Sequence, residues 1–174
     1  MPNPVPSPEV PARPLLAVGG RAPRLQVEHW LTDGMGRLPV DTVFEPGRVY
    51  VVEFWSTTCG PCFQTIPHLA DLQTKYQSSG VRVIGITTEP PELVKPFLER
   101  EIQRSDGRTF RLGDVAKAYN LGSDTDGSVD TDYMMASGQI AIPVAFVVGK
   151  QGLIEWIGPP LDLDGPLAAA VAEQ

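Results

Sequence analysis

The stretch Arg48-Val-Tyr-Val-Val-Glu-Phe-Trp55 constrains this chain more than any other, because it is rich in β-branched and aromatic residues and follows the turn pair Pro46-Gly47. Such a run fits a central strand. Just beyond it stands Cys59-Gly60-Pro61-Cys62. From Pro61 to Ser78 the apolar residues Phe63, Ile66, Leu69, Leu72 and Tyr76 recur at intervals of three or four, as in an amphipathic helix. Pro67 within it predicts a kink. Val81 to Ile86 reads as a second buried strand.

Pro90-Pro91 opens another helix, expected to run to about Ile102 with Leu93, Val94, Phe97 and Leu98 on its apolar side. Asp114 to Tyr119 suits a short helix, and the polar, acidic Asn120 to Asp132 reads as a surface insertion. Tyr133 to Ala136 reads as a helical turn. Val144 to Val148 and Leu153 to Ile157 form a hairpin across Gly149-Lys-Gln-Gly152, and the Ala-rich Leu161 to Glu173 is helical. Upstream, Leu25 to Leu31 partly alternates as a short strand does, with Gly34 and Gly36 marking the turn after it. A strand-helix-strand unit followed by an antiparallel hairpin implies an α/β protein with a mixed central sheet flanked by helices on both faces.

Six of the 18 prolines fall at Pro2, Pro4, Pro6, Pro8, Pro11 and Pro14. They fix φ and remove donors, so residues 1–19 read as a disordered tail or linker and residues 20–174 as one domain. The 174 residues carry a formal charge of −7, which repels phosphate backbones and argues against nucleic acid as a partner. No apolar run approaches the roughly 20 residues of a membrane span, and no basic start or secretory core opens the sequence. As written the chain suits the cytoplasm. Two cysteines are too few for a disulfide scaffold, and a zinc site would need further ligands that His29 and His68 are not spaced to supply.

Both cysteines lie at the junction of the strongest strand and the helix after it. Two intervening residues bring the sulfurs within bridging reach, and the helix N-terminus offers Cys59 unpaired N–H groups and partial positive charge. A free thiol of pKa about 8.5 is only about 3% ionised at pH 7, whereas one near 7 is about half ionised. Cys59 is therefore the expected nucleophile and Cys62 the resolving thiol. An inert disulfide and half of a metal site are the rival readings.

Val51-Val-Glu-Phe-Trp-Ser-Thr-Thr-Cys-Gly-Pro-Cys62, with Pro67 five residues on, resembles the active-site segment of the thioredoxin superfamily, in its TlpA/ResA-like or redoxin branch. Ile142-Pro143-Val-Ala-Phe-Val-Val148 followed by Gly152-Leu-Ile-Glu-Trp-Ile-Gly158 resembles its later proline, hairpin and glycine. The resemblance implies a thioredoxin fold and a thiol-disulfide oxidoreductase reducing protein disulfides. It implies a cis bond at Ile142-Pro143 beside the sulfurs, with the backbone of Ile142 free to pair with an extended substrate. Gly60, Pro61 and Gly158 would line that groove. It also implies no bound cofactor beyond the Cys59–Cys62 disulfide, protein thiols and disulfides as substrates, an upstream reductase or other electron donor, a monomer, and for such relatives a location outside the cytoplasmic membrane.

Glu53 occupies the place of the superfamily's buried acid, which would exchange a proton with Cys62; a solvent-facing or ion-paired glutamate is the alternative. Trp55 is expected as a wall of the site or as core. Thr58 stands where a tryptophan is common, and Thr65 where many relatives carry glutamate, so the acid role falls to Glu53 or to none. A thiol peroxidase would use Cys59 with Ser56 three residues before it, yet Val52 stands where that family has proline. A non-catalytic binding module is the other alternative. Asp124-Thr-Asp126-Gly127 with Asp130 superficially resembles a calcium loop, but Gly122 and Tyr133 fall at its first and last ligand positions.

Overall fold

The computed structural model describes residues 15–36, 43–104 and 106–173, so most of the expected N-terminal tail lies outside the described residues. Six strands form one sheet in the order β1-β6-β3-β2-β7-β8: His29–Trp30 (β1), Asn120–Ser123 (β6), Arg82–Thr87 (β3), Tyr50–Phe54 (β2), Val144–Val148 (β7) and Ile154–Gly158 (β8). β2, β3 and β6 run parallel, while β1, β7 and β8 pair antiparallel with their neighbours. The mixed sheet expected from sequence is present.

All five residues of β2 are buried because it has a strand on each side and a packed layer on each face. Val51 and Trp55 face one layer with Cys59, Cys62 and the apolar side of helix α1 (Cys62–Tyr76). Helices α2 (Pro91–Leu98), α3 (Leu112–Ala116) and α5 (Asp164–Ala172) join α1 on that face. Tyr50, Val52 and Phe54 face the other layer, where Val129, Tyr133 and Met134 come from a short helix, α4 (Ser128–Asp130), and the π-helical turn Thr131–Met135 that continues it. Helices thus lie on both faces. α1 runs through Pro67 without a break.

Several expectations are corrected. Asn120 to Ser123 is an inner strand of the sheet with every residue buried, not a surface insertion. Its Gly122 leaves room for Val27 and Trp30, which a Cβ there would meet at 2.6 and 3.1 Å. The Asp124 carboxylate accepts a bond from the Asp130 N–H at 3.0 Å and lies 3.4 Å from the Ser128 hydroxyl, so it organises the turn into α4. α2 stops at Leu98, since Glu101–Gln103 (β4) pairs antiparallel with Thr109–Arg111 (β5) in a separate hairpin. The short helix expected over Asp114 to Tyr119 is present but shifted toward the N-terminus, as α3 over Leu112–Ala116. Of Leu25 to Leu31 only His29 and Trp30 pair as a strand. The domain also begins before residue 20: Leu16 is buried, its N–H bonds the Ala136 carbonyl at 2.9 Å, and the Gly19 N–H bonds the Ile154 carbonyl at 2.7 Å.

Candidate active site

β2 ends at Phe54 and α1 begins at Cys62, so the Cys59 turn sits at the carboxyl end of the sheet's central strand. The N–H groups of Cys59, Cys62, Phe63 and Gln64 each bond the carbonyl three residues back, at 3.1 to 3.3 Å, which coils the segment tightly into the helix. Cys59 and Cys62 are joined in a disulfide with their Cα atoms 5.4 Å apart. Cys59 is 9% exposed and Cys62 fully buried, whereas Gly60 and Pro61 between them are exposed. An incoming thiol therefore meets Cys59 before Cys62.

The loop carrying Cys59 is tied down by one carboxylate. Glu89 accepts from the Thr57 N–H at 2.7 Å, the Thr57 hydroxyl at 2.6 Å and the Thr87 hydroxyl at 3.1 Å, while its own carbonyl accepts the Ser123 hydroxyl at 2.6 Å. The ends of β3 and β6 are thereby linked to the residues that precede the disulfide. Hydrogen bonds to a charged acceptor are among the stronger kinds. Glu89→Ala is expected to lower the urea-unfolding free energy by about 2 kcal/mol, read from the transition midpoint.

Glu53 has no exposed surface and projects, with Val51 and Trp55, toward α1. Burial pushes its carboxyl up to about 8, against a smaller downward pull from the Thr65 hydroxyl. That hydroxyl lies 3.2 Å from Glu53 Oε1 and donates to the Cys62 carbonyl at 2.9 Å. A hydroxyl has one proton to give. That one proton is shared between the Glu53 carboxyl and the Cys62 carbonyl.

The register of β2 with β7 sets Phe54 opposite Val144, so Pro143 comes to the same end of the sheet as the Cys59 turn. The Ile142-Pro143 bond is cis, and Ile142 is 37% exposed. Gly158 pairs with Ala145 at the end of β8, and the indole of Trp156 covers it, 2.4 Å from where a Cβ would stand. Trp55 is corrected from groove wall to core: it is 2% exposed and stacks on Phe97 at 5.4 Å between centroids, leaving no face for a substrate. Phe97 in turn meets Phe63 at 4.9 Å, and the Arg100 guanidinium lies 4.7 Å from the Phe63 ring centre. Thr58 is exposed, 3.2 Å from the Ser56 hydroxyl. Sequence reasoning missed Glu89, whose only signal was its place between β3 and Pro90-Pro91. It noted Thr65 only as a departure.

A sheet of this order, with a bonded cysteine pair in the turn that feeds the first long helix, defines the thioredoxin-fold redoxins. The chain belongs to the AhpC/TSA family, whose profile matches residues 18–157. Protein FixW of Rhizobium leguminosarum is 30% identical over 143 residues, which cover 82% of this chain and 61% of that protein. The thiol-disulfide oxidoreductase ResA of Geobacillus thermodenitrificans (strain NG80-2) is 29% identical over 154 residues, covering 82% of this chain and 69% of its own. Among solved structures, the thiol:disulfide interchange protein of Chlorobium tepidum TLS, a thioredoxin family protein, matches with a TM-score of 0.63 at 23% identity, over 94% of this chain and 100% of that one. This last likeness shows the fold.

Proposed function

We propose that the protein is a thiol-disulfide oxidoreductase that reduces protein disulfides through Cys59 and Cys62. The observation that carries the reading is the unequal burial of a bonded pair at a helix start, with the fully buried Glu53 in the strand that leads to it. In the reduced form the Cys59 thiolate attacks one sulfur of the substrate disulfide, forming a mixed disulfide and releasing the first substrate thiolate, which takes a proton from water. Cys62 then gives its proton to the Glu53 carboxylate and attacks Cys59. The Cys59–Cys62 bond forms, the second substrate sulfur leaves, and two electrons have passed to the substrate. In the reverse direction Glu53 returns the proton as Cys62 leaves. A separate dithiol donor restores the reduced form.

The exposed Ile142, joined to Pro143 by a cis bond, supports pairing with an extended substrate strand, and the exposed Gly60-Pro61 edge would flank it. The ResA relative supports a thiol-disulfide partner, and the resemblance to TlpA/ResA-like proteins supports action outside the cytoplasmic membrane rather than in the cytoplasm. No helix among the described residues is long and apolar enough to cross a membrane. Insulin reduction with dithiothreitol as donor tests the activity. Catalysed precipitation of the insulin B chain is expected. A flat trace, with peroxide consumed in the absence of any separate peroxidase, would turn the reading to a thiol peroxidase.

A further inference from the structure

Two oxygens in the layer beneath the disulfide, Glu53 Oε2 and the Tyr119 hydroxyl, are buried without a hydrogen-bond partner among the described residues. Leaving such a group unpaired costs about 1–3 kcal/mol. The strand register explains how they come together. Leu121, Gly85, Glu53, Ala145 and Gly158 form one row across β6, β3, β2, β7 and β8. Both strand neighbours of Glu53 are therefore among the smallest residues.

On the Gly85 side the missing side chain leaves a notch with three walls. A Cβ there would lie 2.7 Å from Leu121 Cδ2, 3.3 Å from Tyr119 Cε2 and 3.4 Å from Glu53 Oε2. Tyr119, in the turn between α3 and β6, is anchored by its backbone: its N–H bonds the Ala116 carbonyl at 3.2 Å and its carbonyl accepts the Thr32 hydroxyl at 2.6 Å. Its ring has no exposed surface.

The groups facing Glu53 can be named element by element: Thr65 from α1, Gly85 from β3, Ala145 from β7 and Tyr119 from the α3–β6 turn. None of these is a cation, and Glu53 makes no salt bridge among the described residues. When Glu53 passes its proton to the Cys62 thiolate, giving a thiol and a carboxylate, the new charge meets the Thr65 hydroxyl and no cation among these groups.

We propose that Tyr119 is a positioning residue for Glu53, its hydroxyl supplying Oε2 with a hydrogen bond across the Gly85 notch, directly or through one water, as Thr65 does at Oε1. The proposal deepens the oxidoreductase reading and rests on it. Tyr119 keeps its own proton throughout: burial and the neighbouring carboxylate hold its phenol well above the ordinary tyrosine value. Its contribution is to ease the ionisation of Glu53 and so to set the pH at which acid and inner cysteine exchange a proton.

The test is a carbon NMR titration of the folded full chain, labelled at tyrosine Cζ and glutamate Cδ, from about pH 5 to about pH 10. The Tyr119 Cζ signal is expected to step at the midpoint of the Glu53 Cδ signal, and the step to vanish in Glu53→Gln. Tyr119→Phe is expected to raise the Glu53 midpoint by about one pH unit and to move the pH profile of insulin reduction with it. A Tyr119 signal that stays flat while Glu53 titrates in the wild type overturns the proposal, as does an unmoved midpoint in a folded Tyr119→Phe. Should that variant not fold, the wild-type titration decides alone. Turnover of insulin with uncoupled signals would sink the role of Tyr119 and leave the oxidoreductase reading standing; coupled signals without turnover would do the reverse.

Discussion

Cys62→Ser, reduced and offered a disulfide substrate, is expected to stop at a stable mixed disulfide through Cys59, visible by mass spectrometry as an adduct that dithiothreitol releases. The outer sulfur can still attack, but the inner thiol needed to displace the substrate is gone. Cys59→Ser is expected to form no adduct, because Cys62 has no exposed surface from which to attack, and to lower insulin reduction by at least about a thousandfold. Trapping through Cys62 in the Cys59→Ser variant would contradict the order of attack proposed from burial. The two variants together separate the nucleophile from the resolving residue, which the wild type cannot do.

Glu53 produces the second large effect, on stability rather than on turnover. Its ordinary value is 4.5, and burial in the oxidised protein raises it to about 8. The folded chain therefore holds a proton that the unfolded chain has released throughout that interval. Stability falls as pH rises from about 4.5 to about 8 and levels off above, the total being a few kcal/mol. Asp124, Asp130 and Glu155 are also raised by burial and add to the slope. The difference between wild type and Glu53→Gln isolates the one carboxyl: urea midpoints of the variant are expected to fall less steeply across the window. Parallel slopes would mean that Glu53 titrates near its ordinary value in the fold.

The central unit was readable because its signals are local and agree. Arg48 to Trp55, the three-and-four spacing from Phe63 to Tyr76, and the apolar Val81 to Ile86 each specify an element whose neighbours also want it. β6 was unreadable for the opposite reason. Asn120-Leu-Gly-Ser123 has a single large apolar side chain, and it is a strand because β3 and β1 offer it two edges to pair with. With β6 unseen, the partner that limits β1 to His29 and Trp30 was unseen as well. The start of β4 was absorbed into the helix before it because Ile102 continues the apolar periodicity by chance.

At the candidate site, the cysteines were legible from their spacing at a strand-to-helix junction, and Pro143 only through the family resemblance. The direction of Glu53 was not. In a strand buried on both faces alternation gives no contrast, and only the layer occupied by Val51 and Trp55 decides which way it points. Trp55 could be wall or core on sequence alone, and the Phe97 ring settled the matter by covering it. Glu89 and Tyr119 act through partners far along the chain, Glu89 on a threonine 32 residues before it, and no spacing rule reaches that distance.

The row that crosses the sheet at Glu53 also says something about how redoxins of this kind can differ while looking alike. Three of its five members, Gly85, Ala145 and Gly158, contribute almost no side-chain atoms, and what the two beside Glu53 provide is room for a carboxyl and for a phenol ring to approach it. A relative with both cysteines and the acid intact, but a bulkier residue in either place, would carry the same reagents in a different medium. The environment of the inner thiol is thus written in what neighbouring strands leave out, and volume along this row is as much a part of the chemistry as the sulfurs.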